Sequence, residues 1–300
     1  MKKSKMDKSE SNQNLSALSI ITREFIKDPA AIIALSVLII VILFITITPF
    51  VVDLSTLEMG TDSFFRLNQP PSDTFMLGTD NAGRDVFVLL AIGARSSLLI
   101  ALLVTVIAGF IGISLGLISG YFGGKFDNIV MRVVDFISTL PALVMIIAFI
   151  AIFPGFSLIR FSLVMSFFSW TGIMRLVRAR SIQEKELEYI QASKTLGTPH
   201  FKTIFKELLP NISSIIIVNM TLSAAANVGL ETGLSFLGFG FPFEEPSLGR
   251  LIAEASTPIV FQHRWWIWLP AALFVLVLML SINTIGRTLN RATDARLRRG

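Results

Sequence analysis

Long apolar runs alternate with shorter polar stretches along this chain, and their lengths predict helices that cross a membrane. Residues 30–50 carry no ionisable side chain. At about 1.5 Å per residue, such a run spans a hydrocarbon core of roughly 30 Å. Comparable runs cover 96–124, from Asp135 to about 153, 156–174, 212–230 and 265–286. Six transmembrane helices are therefore predicted, in an all-α membrane protein. The second run is rich in Gly109, Gly112, Ser114, Gly116 and Gly120, small residues that let helix backbones approach closely in lipid. The third contains Pro141, a kink position. The last opens with Trp265, Trp266 and Trp268, as an interfacial anchor does. Residues 51–88 form a polar loop, and 233–243 are apolar but too short to span, which predicts a surface or re-entrant segment at the head of an outer stretch 233–264.

One polar interruption is longer and more charged than the rest. Glu188 to Pro210 has helix-forming residues, then Gly197 and Pro199, then a second amphipathic run closing at Pro210. A glycine between two runs and a proline at the end of one predict two short helices within a loop over 175–211.

Composition supports a single polytopic domain over 29–290: 53% of residues are hydrophobic, 16% are charged and mean hydropathy is +0.70. The basic residues set its orientation. The tail 1–28 carries Lys2, Lys3, Lys5, Lys8, Arg23 and Lys27, the loop carries Arg175, Arg178, Arg180, Lys185, Lys194, Lys202 and Lys206, and the tail 291–300 adds four arginines. The opposite side keeps Arg66, Arg84, Arg160, Arg250 and Arg264, with Arg95 near the border. Positive charge stays in the cytoplasm, so both termini and the loop are predicted there, in a multi-pass cell-membrane protein. Leu15 to Phe25 is predicted as a short interfacial helix.

Candidate chemistry is sparse. There is no cysteine, which excludes a disulfide framework, a thiolate metal site and a cysteine nucleophile. His200 and His263 lie far apart in the sequence, so no metal site is predicted. No GxxxxGK[ST] phosphate loop, Ser-His-Asp order or HExxH occurs, so no catalytic residue is predicted either. Asp135 is expected to pair locally with Arg132. Glu231 is expected at the outer interface, where it and Pro141 are candidate gate or kink positions. An ion-coupled carrier would place carboxylates near the midplane, and none falls there. Energy is expected to come from partner chains.

The polar loop resembles the cytoplasmic EAA loop of ABC-importer permeases, written E-A-A, three residues, G, nine residues, I-x-L-P. Gln191, Ala192, Ser193, Gly197, Leu209 and Pro210 fall at that spacing. Gln191 replaces the usual Glu, Ser193 the second Ala, and Glu207 the Ile. Leu77 to Asp85 followed by Gly93 to Leu98, Leu234 to Gly240 followed by Pro246 to Gly249, and Trp265 to Gly286 are similar to motifs of the oligopeptide/dipeptide (and nickel) permease family, C-type subunit. The resemblance implies an ABC type I importer-like permease fold with a cytoplasmic coupling helix, paired with a homologous B-type permease, two ATP-binding cassette ATPase subunits and an extracytoplasmic solute-binding protein. No nucleic-acid partner is implied. ATP and Mg would be bound by the ATPases and no cofactor by this chain, which would be non-catalytic. The implied cargo is oligopeptides or dipeptides, with nickel or metal-chelator complexes as the alternative within the family. A self-sufficient secondary carrier or channel is the alternative outside it. Asp80, Arg84 and Asp85 are candidate contacts with the binding protein, against the reading that they are an ion-pair network holding a loop in shape.

Overall fold

The structure is a computed structural model that describes residues 25–52, 57, 61–153, 157–241 and 245–297. The predicted helix at Leu15 to Phe25 lies outside these residues but for its last position. The described residues are almost entirely helical. Helix α1 spans Pro29–Val51, α2 Val86–Phe122, α3 Gly124–Thr139, α4 Ala142–Ile152, α5 Leu158–Glu184 and α6 Glu188–Thr195. Helix α7 runs from His200 to Phe236 without interruption, and α8 Leu248–Ala253, α9 Pro258–His263 and α10 Trp265–Leu297 complete the chain.

Local chemistry sets several boundaries. Asp28 caps α1 by accepting from the Ala30 N–H at 3.1 Å, with Pro29 at the first helical position, where its missing N–H costs nothing. Asp85 caps α2 the same way through the Phe87 N–H at 2.8 Å. That cap starts α2 ten residues before the uncharged run at Ser96, so the polar loop is shorter than expected. At the third run the chain turns through 83° between α3 and α4, with Pro141 as the residue before α4; proline removes a donor and constrains its predecessor, so the bend falls there.

Four helices, α1, α2, α7 and α10, are long and apolar enough to cross a membrane, and the bent α3–α4 pair makes a fifth candidate. The expected count of six is not reached on those terms. Helix α5 has the length, at 27 residues, but Arg160 near its start and Ser162, Ser166 and Ser169 dilute its apolar run.

Helices α2 and α5 lie parallel and in close contact. A side chain at Gly112 would sit 2.8 Å from the Trp170 carbonyl oxygen, one at Gly116 2.8 Å from that of Met174, and one at Gly120 2.7 Å from that of Arg178. The one-turn spacing of these glycines is matched turn for turn along α5, so backbone meets backbone. Two apolar clusters flank the seam. One joins α1, α2, α7, α8 and α10 through Leu89, Ala225, Leu248 and Leu278, and the other joins α2, α3, α4 and α5 through Val104, Val134, Ile146 and Met165.

Ion pairs finish the end of the bundle that carries α6, called the loop end below. Asp127 of α3 pairs with Arg178 of α5 at 2.6 Å and accepts from Ser119 of α2. Asp135 pairs with Arg175 of α5 at 2.8 Å rather than with Arg132; the same Arg175 group donates to Ser138 at 3.1 Å, which holds it beside Asp135 on the exposed edge of α3. Asp28 joins the start of α1 to the end of α10, accepting from Thr288 at 2.8 Å and pairing with Arg291.

Two outcomes are expected. Gly116→Leu forces α2 off α5 and lowers stability by the about 1–3 kcal/mol typical of overpacking or more, read as an earlier thermal melt in detergent, whereas the same change at Gly233, where a side chain meets nothing within 4 Å, leaves the melt in place. The Asp28 carboxyl is held below its ordinary value of 3.8, chiefly by the Thr288 hydroxyl and then by Arg291, against the opposing pull of burial. A depressed folded value means the latch stabilises above the ordinary value and is lost as pH falls through the depressed one. Acidification to that range frees the α1–α10 junction in amide exchange, and Asp28→Asn removes that pH dependence.

Candidate functional site

The loop end is built on an apolar floor. Ile190 of α6 and Ile204 and Leu208 of α7 are buried with Leu117 and Tyr121 of α2 and Ile173 and Val177 of α5. Because α6 has one buried position, Ile190, this side chain is what holds the short helix down. Around it, the Tyr121 hydroxyl lies 3.0 Å from His200 Nδ1, the Tyr121 and Phe122 rings meet the His200 ring edge-on, and the Lys194 ammonium stands 5.1 Å above the Tyr121 ring.

The break between α6 and α7 is a Schellman closure. The Gly197 N–H bonds to the Lys194 carbonyl at 3.0 Å and the Thr198 N–H to that of Ser193 at 3.1 Å, with Gly197 at φ +77°. That is the left-handed residue such a closure requires. A side chain at Gly197 would meet nothing within 4 Å, so glycine is needed for its backbone and not for space.

The two expected helices are present, but Pro210 does not end the second. Helix α7 passes through it into the membrane by way of a π-turn at Ile204–Leu208. The Leu209 N–H reaches five residues back to the Ile204 carbonyl, and this wider turn accommodates the proline's missing donor and the bulk of its ring.

The three departures from the EAA pattern occupy bonded positions. Ser193 Oγ donates to Glu207 Oε1 at 2.7 Å, so the two replaced residues that face each other across the loop are partners. Gln191 Nε2 donates to the Lys185 carbonyl at 2.8 Å and so closes the turn from α5 into α6. A glutamate there has no proton to give to a carbonyl at neutral pH. A further chain, missed in the sequence because its members are dispersed, runs from Glu184 to the Tyr189 hydroxyl at 2.6 Å and from there to Asn211 at 2.9 Å. Burial and then the bond to Glu184 push the Tyr189 phenol up, which keeps it a donor.

On the outer side of this frame, apolar groups face away from the protein. Leu196, next to the closure, is 85% exposed, and Phe201 and Phe205, one turn apart on α7, are 67% and 58% exposed. Ala192, Gly197 and Pro210 are also exposed, whereas Leu209 is half-buried.

At the far end, Asp80 and Arg84 turn inward. The Asp80 carboxylate accepts from the Arg84 side chain at 2.8 Å and from the Ala82 and Arg84 N–H groups at 2.9 and 2.8 Å, and Asp80 is only 3% exposed. Asp85, also buried, is spent on capping α2. Their neighbour Asn81 is exposed; it bonds to Glu254 and accepts from Arg264 at 2.9 Å, while Trp266 donates to the Thr79 carbonyl at 3.2 Å. Glu231 turns into the bundle. Helix α7 continues five residues past it, and Glu231 is fully buried, with Ser235 donating to it at 2.8 Å. Pro141 is exposed at the bend.

A bundle of long apolar helices of this kind is a multi-pass membrane protein. The chain belongs to the family of binding-protein-dependent transport system inner membrane components, whose pattern matches residues 112–299. It is 42% identical over 291 residues to the oligopeptide transport system permease protein OppC of Lactococcus lactis subsp. cremoris, covering 97% of this chain and 99% of that one. It is 36% identical over 278 residues to the dipeptide transport system permease protein DppC of Bacillus subtilis, covering 92% and 85%. It is 34% identical over 280 residues to the oligopeptide transport system permease protein AmiD of Streptococcus pneumoniae, covering 92% and 89%.

The bond between Ser193 and Glu207 makes a direct test. Glu207 Oε2 is already buried without a partner among the described residues. Ser193→Ala strips the other oxygen and costs about 1–3 kcal/mol, the usual penalty for a buried acceptor left unpaired. Ser193→Ala with Glu207→Ile, which restores the family pair, recovers the loss. Thermal unfolding of the single and double variants measures the coupling.

Proposed function

We propose that this chain is a membrane-spanning permease subunit of an ATP-driven importer of oligopeptides or dipeptides. Membership of the family and the names of three relatives that match over most of their length support the reading. The observation that carries the mechanism is the exposed apolar tip of Leu196, Phe201 and Phe205 on a frame fixed by Ile190, the glycine closure and the hydrogen bonds of Gln191 and Ser193. This tip, with Ala192 and Pro210 beside it, fits a groove on an ATPase subunit. Basic residues concentrate at the same end, which puts the loop, the start of α1 and the end of α10 in the cytoplasm.

In this assembly a homologous B-type permease completes the translocation path, and two ATPase subunits bind ATP and Mg²⁺ and perform the hydrolysis. This chain is non-catalytic and carries no cofactor. A solute-binding protein delivers cargo to the far end, where Asp80, Arg84 and Asp85 brace the loop from inside and leave Asn81 and Glu254 to meet it.

Movement of the ATPases pushes on α6. Ile190 and the Tyr121–His200 contact pass the push to α2, which at 37 residues is about 55 Å long and ends under the far-end loop. The glycine seam makes α5 move with α2. The 83° break at Pro141 is the hinge that lets α4 follow a different path, and Glu231 holds α7 at the gate end of that motion.

Gly197→Leu tests the reading. A left-handed conformation costs a non-glycine residue about 1–2 kcal/mol, so the fraction of correctly turned loops and with it peptide uptake falls roughly tenfold. Assembly and basal ATP hydrolysis persist in the reconstituted complex. Uptake equal to wild type, or peptide uptake by this chain without its ATPases, overturns it.

A further inference from the structure

Between α2, α5 and α7 lies a cavity of about 230 Å³ lined by Thr105, Gly109, Ser169, Met220, Ser223 and Asn227 among others. No charged side chain lines it. Thr105 falls halfway along α2, deep in the apolar bundle. Polar side chains at that depth need hydrogen-bond partners, either on a neighbouring helix or on something that passes between the helices. The volume is well above the roughly 10–15 Å³ that admits one water, so the site is wet or holds a polar ligand.

The hydrogen-bonding capacity here is directional. The Thr105 hydroxyl donates to the Ala101 carbonyl at 2.7 Å and accepts from Asn227 Nδ2 at 2.9 Å. These two bonds orient the Asn227 amide, and its Oδ1 then accepts nothing among the described residues, although Asn227 is only 6% exposed. The Ser169 hydroxyl donates to Met165 at 2.9 Å and keeps its lone pairs. Ser223 makes no hydrogen bond among the described residues and can both donate and accept. An acceptor fixed by a buried bond, a free hydroxyl and no net charge match a peptide main chain. Its amide N–H and carbonyl alternate donor and acceptor whatever the side chains are. A charged metal chelate would call for a charged group, and the lining has none.

We propose that this cavity is a way station that holds the main chain of a peptide in transit, with Asn227 accepting from a backbone N–H and Ser223 bonding the neighbouring carbonyl. Thr105 is a positioning residue that aims Asn227. The proposal rests on the importer reading and assigns it a substrate site. It explains how one path serves peptides of differing sequence: the permease reads the repeating part, and side chains occupy the space around it.

The test uses the full transporter in proteoliposomes, with trialanine and its backbone N-methylated analogue as probes. Wild-type complex must take up trialanine with ATP; if it does not, the importer reading itself fails and the site falls with it. Given uptake, Ser223→Ala and Asn227→Leu are each expected to lower trialanine transport per ATP roughly fivefold, the size of one hydrogen bond, with binding-protein affinity unchanged. The N-methylated peptide is already slow in wild type and loses little more in Asn227→Leu. Because the chain has no cysteine, Ser223→Cys gives it a single thiol. A water-soluble maleimide labels that thiol in the assembled complex, and trialanine during turnover slows the labelling. Uptake equal to wild type in both substitutions, equal losses for the two peptides, or a thiol shielded in the complex whether or not peptide is present overturns the proposal.

Discussion

The absence of side chains at Gly112, Gly116 and Gly120 is the constraint on which the rest depends. A methyl group at any of them would press on the backbone of α5 at 2.7 or 2.8 Å, so α2 and α5 sit at the distance glycine allows and in one register. Apolar side chains in lipid gain little by leaving it, and close backbone contact is what remains to hold helices together. Once α2 and α5 are locked, Asp127 at the start of α3 meets Arg178 of α5, and Leu117, Tyr121, Ile173 and Val177 form the floor for the polar loop. The same two helices supply the walls of the mid-bundle cavity, Thr105 and Gly109 from one and Ser169 from the other. One seam thus sets the loop and the path at once.

The sequence disclosed what repeats or punctuates and concealed what depends on meetings across the chain. Apolar length gave α1, α2, α7 and α10, small residues in the second run gave a close helix contact but not its partner α5, and Gly197 gave the loop closure. Three readings changed for physical reasons. Pro210 reads as a stop in a local pattern, but a π-turn upstream lets the helix pass. Asp135 has Arg132 three residues away, yet α5 brings Arg175 to it and Ser138 holds that arginine in place. Glu231 looks like the end of an apolar run, whereas α8 covers the outer turn of α7 and buries it. Asn227 and Thr105 are 122 residues apart, and no periodicity links them. A lone Asn and Thr in apolar runs was the available signal, since each needs a partner in lipid.

The departures from the EAA pattern show how a degenerate motif keeps its shape. Replacing the isoleucine by Glu207 alone would leave both of its carboxylate oxygens without a partner in the loop. Taken together they are consistent: Gln191 supplies a proton that a carboxylate lacks, and Ser193 and Glu207 supply each other. The motif is better described by its geometry than by its letters. What this chain keeps is a short helix pinned by one apolar residue, a left-handed glycine and a second helix that starts just beyond it.

That geometry also separates two tasks that a transporter loop has to combine. In the proposed importer, contact with a partner calls for exposed apolar groups such as Leu196, Phe201 and Phe205, and transmission of force calls for an anchored base such as Ile190, Tyr121 and His200. The tip can vary with its partner while the base stays tied to α2. Because α2 also borders the cavity through Thr105, which aims Asn227, a displacement of the loop by a fraction of a turn changes where the amide oxygen points. Under the proposed mechanism, grip on the cargo and the push from below are then two readouts of the position of one helix.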